Sequence, residues 1–483
     1  MMGRDGTSMK DSLSLNIKAL SAEYRAGRLA PVDVIREVYE RIGRGIGKNS
    51  WTYIVPEAIA CQQAEAIAKR DRDALPLFGI PFSVKDNIHV AGLPTTAGCP
   101  AFTHVPDTSA TVVTKLVRAG AILIGKNTMD QFATGLVGVR SPVHPVNSFN
   151  SEYIPGGSSS GSAITVATGL VSFSLGSDTG GSGRVPAALN NIVGLKPTPG
   201  IVSAAGMVYA NRTFDCVPIF GLTCDDVETV FEVLLGADPA DPFMKDNPEF
   251  QEASVYPSHI RIGIPDAKHL TFFGDKNAEQ AFVKALALAR RLGAEVLEVD
   301  YSPFQDVGKM LFSGPVFAER VTSVGEFVIA HEPEVDKVVS EIFQSAPDYT
   351  AVEYINECYR LRELRRRAFD ELQKVDVLMV PTTGTIYRIE DVKRDPVRLN
   401  VNMGYYTQFA NLLGLCAIAI PSTLRDDGLP FGICFLARPR NDRALIQLGR
   451  IFHRAADLPL GATSRFIDGR IARAPAKSPS LSA

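Results

Sequence analysis

The sequence predicts an α/β fold: a central mixed, largely parallel β-sheet covered by helices on both faces. Three observations carry that expectation. Two short apolar runs, residues 77–84 and 121–125, flank an amphipathic run over 108–119, which is the strand–helix–strand order of a parallel unit. The same order returns downstream, with an apolar run at 260–264, helical periodicity over 278–292 and a strand-like run at 294–299. Two further apolar runs, 375–381 and 416–421, have the length of buried strands. At 483 residues and 45% hydrophobic content, the chain is long enough to bury a sizeable core around such a sheet.

The elements follow in order. Leu13, Ile17, Leu20 and Tyr24 recur at helical spacing, and Gly27 stops that helix. Pro31 opens a second helix, with Val34, Ile35, Val38 and Ile42 as its apolar face. An alanine-rich stretch over 57–72 predicts a third, so residues 12–72 form a helical N-terminal segment, and 12–44 would suit a homodimer contact. Residues 150–235 are rich in Gly and Ser, alternating with apolar runs that suit core strands and helices. Asp, Pro and Glu thicken over 238–258, which marks a surface excursion. Residues 303–372 are charged and mostly helical, the expected cover over part of the sheet and the place for substrate selection. The tail, 473–483, rich in Ala, Pro and Ser, is expected to fray. One domain over 1–470 accounts for the whole pattern.

Composition excludes several classes. A net charge of −3 supplies no general field for nucleic acid or an anionic membrane. No apolar run approaches the ~20 residues that span a bilayer. Residues 1–5 begin no apolar h-region, so no signal peptide is expected. The seven cysteines lack CxxC spacing, which suits reduced core residues in a cytoplasmic protein and no disulfide frame or zinc site. No His/Asp/Glu cluster has metal-ligand spacing, so neither metal nor cofactor is expected.

The chemistry concentrates in two glycine-cradled serine motifs and one lysine. The first motif is Pro155-Gly156-Gly157-Ser158-Ser159-Ser160-Gly161-Ser162; the second is Asp178-Thr179-Gly180-Gly181-Ser182-Gly183-Arg184. Lys85 follows the apolar run that ends at Val84. A serine hydroxyl needs a neighbouring base before it attacks, and none of the seven histidines sits in a motif with an acidic partner. A lysine drawn into the core can replace histidine, because desolvation lowers its pKa from ~10.4 and frees the amine. Alone, a lysine at a strand end is most often a solvated surface charge; beside two such motifs it points to nucleophilic catalysis. Strand alternation sends Asp86 to the opposite face. The turn Thr179-Gly180-Gly181-Ser182 is suited to aim successive backbone N–H groups at an oxyanion, and Asp178 with Arg184 would pin it by a salt bridge. A competing pattern, Gly157-Ser158-Ser159-Ser160-Gly161, satisfies G-x-S-x-G with Ser159 as nucleophile. That elbow requires a preceding apolar strand and a late histidine with an acid partner. Residues 147–155 are polar and proline-containing, and the only late histidine, His453, has a helical context. A phosphate-binding loop is weaker still, for no GxxxxGK[ST] occurs.

These motifs resemble those of the amidase signature family, over residues 15–465 and most densely over 77–100 and 153–200. Residues 156–163, then 178–182, then Val193-Gly194-Leu195-Lys196-Pro197-Thr198 follow that signature. The resemblance implies Ser182 as nucleophile, Ser158 as the bridging serine held by a cis peptide, and Lys85 as base. It implies hydrolysis of an amide through an acyl-enzyme, with Thr179, Gly180, Gly181 and Ser182 holding the oxyanion. Ser159, Ser160 and Ser162 would be hydrogen-bond partners in that cluster. Within the family, residues 77–102, 130–138 (with Gly135) and 182–191, and Asp215-Cys216, resemble allophanate hydrolases. So do Gly314-Pro315 and Ala318-Glu319-Arg320. That branch binds a small carboxylated urea, and its helical Arg, which falls on Arg320, holds the substrate carboxylate by a bidentate contact.

Three departures stand against that branch. Phe312 replaces a tyrosine that touches the substrate, a lost donor that costs ~1.5–3 kcal/mol toward a charged group. Gly180 stands where Ala is common, and the resemblance ends with the amidase region, whereas many allophanate hydrolases carry a further C-terminal domain. Phe312 thus favours a second reading, the same mechanism on another small amide or ureide. A third is the amidase component of a tRNA-dependent amidotransferase, which works with partner chains. A non-catalytic binding protein on the same fold is the reading from another class, and the intact Lys85, Ser158 and Ser182 argue against it.

Overall fold

The computed structural model describes residues 13–245, 255–256, 259–311, 316–345 and 350–471. Phe312, Gly314-Pro315, the N-terminal residues 1–12, part of the 238–258 excursion and the tail 473–483 lie outside the described residues.

Among the described residues eleven strands form one sheet: β1 (Trp51–Ile54), β2 (Pro81–Lys85), β3 (Ile122–Asn127), β4 (Phe173–Leu175), β5 (Val193–Lys196), β6 (Ile219–Gly221), β7 (Arg261–Pro265), β8 (Glu295–Val299), β9 (Val377–Pro381), β10 (Cys416–Leu424) and β11 (Pro430–Ala437). Their spatial order is β1-β3-β2-β4-β6-β5-β10-β11-β9-β7-β8. Both anticipated crossovers are present. The helix Thr111–Arg118 joins β2 to its parallel neighbour β3, and Lys276–Arg291 joins β7 to its parallel neighbour β8.

Parallel pairing is confined to these two regions, where β2 also pairs with β4 and β7 with β9. From β4 through β6, β5, β10 and β11 to β9 every pairing is antiparallel, as is β1 with β3. The sheet is therefore mixed, with a smaller parallel share than the two crossovers suggest. The cause is local: β5 and β6, and then β10 and β11, are connected without a crossover helix between them.

The N-terminal helices Ile17–Arg25 and Pro31–Gly43 turn their apolar residues inward: Ile17, Leu20 and Tyr24 in the first, Val34, Ile35 and Val38 in the second, all buried. Their apolar faces are thus occupied within the chain. Asp226 anchors this segment by accepting the Ile17 N–H at 2.8 Å and both Thr223 donors.

A second apolar cluster packs Phe304, Val307, Met310 and Leu311 with Leu364, Leu372, Tyr406 and Phe409. It ties the helices Ser302–Met310 and Ala351–Gln373 of the 303–372 cover to the face of the sheet that carries β9 and β11. Among the described residues no helix is long and apolar enough to cross a membrane.

Candidate active site

The sheet topology brings the lysine and the serines together. β2 and β4 are parallel neighbours in register Val84↔Leu175, so Lys85 and Ser177 emerge side by side from the carboxyl ends of two adjacent strands. Such ends are where open α/β sheets place ligands. Lys85 Nζ lies 2.7 Å from Ser158 Oγ and 2.8 Å from Ser177 Oγ, and Ser158 Oγ lies 2.9 Å from Ser182 Oγ. Asn87 Nδ2 donates to Ser177 Oγ at 3.1 Å. Lys85 is fully buried. Burial pulls its pKa down to about 7, against the opposing carboxylates of Asp130, Asp215 and Asp178.

Each serine turn is anchored by an aspartate, the first through the Asp130 backbone and the second through the Asp178 carboxylate. The first motif lies on the segment 130–138. Asp130 N–H donates to Ser158 O at 3.1 Å and Gly157 N–H to Leu136 O at 2.9 Å, while the Asp130 carboxylate accepts Gly138 and Arg140 N–H. Gly157 is required by this approach, since a Cβ there would meet Asp130 Oδ2 at 2.1 Å. The peptide bond Gly157–Ser158 is cis. The helix Ser160–Ala167 starts directly after Ser159 and carries the chain into β4.

In the second motif Asp178 and Arg184, both fully buried, form a bidentate pair at 2.9 and 3.0 Å. Asp178 also accepts the N–H groups of Gly181 and Gly183 at 2.9 and 2.8 Å. Burial alone would raise the Asp178 carboxyl, but the Arg184 guanidinium outweighs it and holds the carboxyl below the usual range. Gly181, at φ +137, adopts a conformation open to glycine.

In the turn expected to hold an oxyanion, one of the four donors is already engaged. The Gly181 N–H is turned onto Asp178, so the four-residue turn offers three N–H groups without an acceptor among the described residues: Thr179, Gly180 and Ser182. The reason is that the same carboxylate that pins the turn claims one of its donors.

Residues 33–446 match the sequence profile of the family described as Amidase. The chain belongs to the amidase family. Among relatives of this amidase, the urea amidolyase of Saccharomyces cerevisiae is 40% identical over 410 residues, covering 83% of this chain and 22% of that protein. The chain thus spans about a fifth of the length of that relative. The solved allophanate hydrolase of Kluyveromyces lactis is 35% identical and superposes with a TM-score of 0.86, covering 94% of this chain and 75% of that one. The A-type subunit of the glutamyl-tRNA(Gln) amidotransferase of Lysinibacillus sphaericus is 32% identical over 472 residues, covering 91% of this chain and 96% of its own.

The amidase's Arg320 is buried and lies in the helix Val316–Arg320. Its Nη1 donates to Thr134 Oγ1 at 3.3 Å, which sets it beside Gly135. Burial pulls this guanidinium down to about 10, so it stays charged at neutral pH, with Asp215 opposing the shift. Asp215 binds the Thr179 hydroxyl and accepts Ala210 N–H at 2.7 Å. One carboxylate therefore touches the turn 179–182 and acts on Arg320.

The other serines of the first motif are engaged in support. Ser159 Oγ donates to Ser177 O at 3.2 Å, Ser160 Oγ to Thr128 O at 3.4 Å and Ser162 Oγ to Leu175 O at 3.1 Å. Among the described residues no hydrogen bond joins a histidine to Ser159, whose hydroxyl donates to Ser177 O, and residues 155–157 before it are not a strand. His453 is buried in the helix Asp442–Ala456.

No motif in the sequence assigns Ser177, Asn87, Asp130 or Asp215 a catalytic-site role, yet all four support the site. Ser177 is a small residue beside the second motif, and only the parallel register of β2 and β4 puts its hydroxyl on Lys85.

Tertiary structure also assembles a cluster that sequence spacing did not reveal. Asp266, His269 and Asp300 place donor atoms within 4.8 Å of one another at the ends of β7 and β8. Those atoms have structural duties: His269 Nδ1 pairs with Asp266 at 2.7 Å, and Asp300 accepts Ser302 N–H at 3.0 Å.

Breaking the Asp178–Arg184 pair strands a buried charge and frees the turn. Arg184→Met is expected to lower stability by about 3–5 kcal/mol, measured by urea denaturation.

Proposed function

We propose that this amidase hydrolyses the C–N bond of a small carboxylated urea or amide, with allophanate as the first substrate to test, through a Ser-Ser-Lys relay. The observation that carries the reading is the unbroken chain Lys85–Ser158–Ser182, with 2.7 and 2.9 Å contacts and a buried amine held near neutral pKa. As a free amine, Lys85 takes the proton of Ser158 while Ser158 takes that of Ser182. Ser182 Oγ then attacks the amide carbonyl, and the oxyanion forms toward the N–H groups of Thr179, Gly180 and Ser182. The relayed proton returns to the leaving nitrogen, which departs as ammonia when the scissile group is a primary amide. Water then attacks the acyl-enzyme, with the same relay accepting its proton. Ser177 and Asn87 orient the Lys85 amine so that its lone pair faces Ser158.

Similarity to the allophanate hydrolase of Kluyveromyces lactis supports a substrate with a carboxylate, and the buried Arg320 supplies a fork for it. Arg320→Gln is expected to raise KM for allophanate by about 10- to 100-fold and to leave a neutral aryl amide within about twofold. Steady-state ammonia release separates the two.

Near-full-length similarity to the A-type amidotransferase component favours a second reading, that of one member of a multi-chain complex. Ammonia release from allophanate, biuret, malonamate and an aryl amide by the purified chain decides between them. Turnover of allophanate without added protein supports the first reading. Turnover of the aryl amide alone replaces the substrate class, and no turnover of any amide supports the second reading.

A further inference from the structure

Gly180 is a glycine for reasons of space. It has no positive φ, in contrast to its neighbour Gly181. A Cβ at residue 180 would meet Leu311 Cδ2 at 2.3 Å, and the next nearest atom, Gln408 Cα, is 3.7 Å away. One side chain alone therefore excludes a methyl group from this point of the oxyanion turn. Leu311 follows the helix Ser302–Met310 and is buried in the cluster with Phe304, Met310 and Phe409, so it is backed by packed side chains. The peptide joining Gly180 to Gly181 is gripped at both polar ends. Thr407 Oγ1 donates to Gly180 O at 2.7 Å, and Gly181 N–H donates to Asp178. What those two bonds leave free is lateral movement of the residue 180 Cα and the N–H it carries.

We propose that Leu311 is a positioning residue for this chemistry: its δ-methyl is the wall that sets where Gly180 and its N–H sit beside Ser182. Nothing in the 178–184 motif specifies this contact. It makes the helical cover part of the oxyanion site and predicts that residues 180 and 311 trade volume: a methyl gained at 180 is tolerated when methyls are removed at 311.

The inference rests on Ser182 as nucleophile, and the probe is chosen to test the two ideas separately. An alkyl fluorophosphonate reacts with an activated serine: the Ser182 Oγ–P bond forms, the P–F bond breaks, and fluoride leaves as the hydroxyl proton passes to the base. Its P=O oxygen sits where the oxyanion would, so the labelling rate reports the turn without a choice of amide. Gly180→Ala, which keeps the N–H, is expected to label at least about tenfold more slowly, and Leu311→Ala about two- to fivefold more slowly. The double variant is expected to return to within about threefold of the unmodified protein.

Thermal midpoints of all variants run alongside. Leu311→Val, a smaller core change, takes the place of Leu311→Ala if that variant does not fold. Partial rescue of Gly180→Ala by either partner supports the proposal. A Gly180→Ala rate within twofold of the unmodified protein overturns it, as does a double variant no faster than Gly180→Ala. Persistent labelling in Ser182→Ala rejects the nucleophile, and with it the role given to Leu311.

Discussion

Ser182→Ala is expected to reduce amide turnover by a factor on the order of 10⁴ or more, with no acyl-enzyme formed and no fluorophosphonate label. The size follows from what the substitution removes. Loss of a nucleophile ends the covalent route, and residual rate comes only from the oxyanion donors and substrate binding. Fold should be unaffected, because Ser182 Oγ contacts Ser158 Oγ while the turn is held by Asp178 and Arg184 through backbone and side-chain bonds that survive. Ser158→Ala tests the relay: it keeps nucleophile and base but breaks the 2.9 Å link. A loss nearly as large as that of Ser182→Ala, and far from additive in the double variant, is the expected pattern for residues that act as a unit. Single-turnover mass measurement of the acylated chain checks both; a Ser182→Ala variant that still accumulates acyl adduct moves the nucleophile elsewhere.

Lys85→Met is the second large effect, with a turnover loss of about 10²- to 10⁴-fold for removal of a general base. Its sign with pH is fixed by burial. The amine titrates near 7, so below that pH it is an ammonium that cannot accept the Ser158 proton, and above it the base is free. kcat/KM should therefore rise with pH through an acid limb near 7, and Lys85→Met should flatten that limb. Stability carries the same signature in the same direction. The folded pKa lies below the ordinary lysine value near 10.4, so between the two the unfolded chain binds more protons and stability rises with pH. Lys85→Met, which places no charge in the core, should remove that rise while raising stability at pH 7 or below. An acid limb that persists unchanged in Lys85→Met would assign it to another group, with Asp215, pushed up to about 6 by burial, the next to examine.

Much of this molecule is local and was legible in the chain. The two crossover units were readable because strand and helix periodicities differ, and β2, β3, β7, β8, β9 and β10 fall on the apolar runs that predict them. The serine motifs were readable because glycine at fixed spacing marks where the backbone is closely approached, as at Gly157, or takes a positive φ, as at Gly181. The strands β4, β5 and β6 were harder, being three or four residues long and buried on both faces, without an alternation to read.

What tertiary structure alone decided is which polar groups face one another across the sheet. Ser177 meets Lys85 only because β2 and β4 pair in parallel register, and Asp215 meets Thr179 from 36 positions away. Leu311 meets Gly180 because the helical cover packs onto the turn 179–182. Side-chain periodicity along a strand or helix states which face a residue occupies. It carries no information about the partner that burial will bring to that face, since that depends on strand order and on contacts distant in sequence. The sequence by itself therefore marked the family and the residues proposed for its chemistry, and the packing of the sheet against its cover decided how Lys85, Ser158, Ser182 and the turn 179–182 are held.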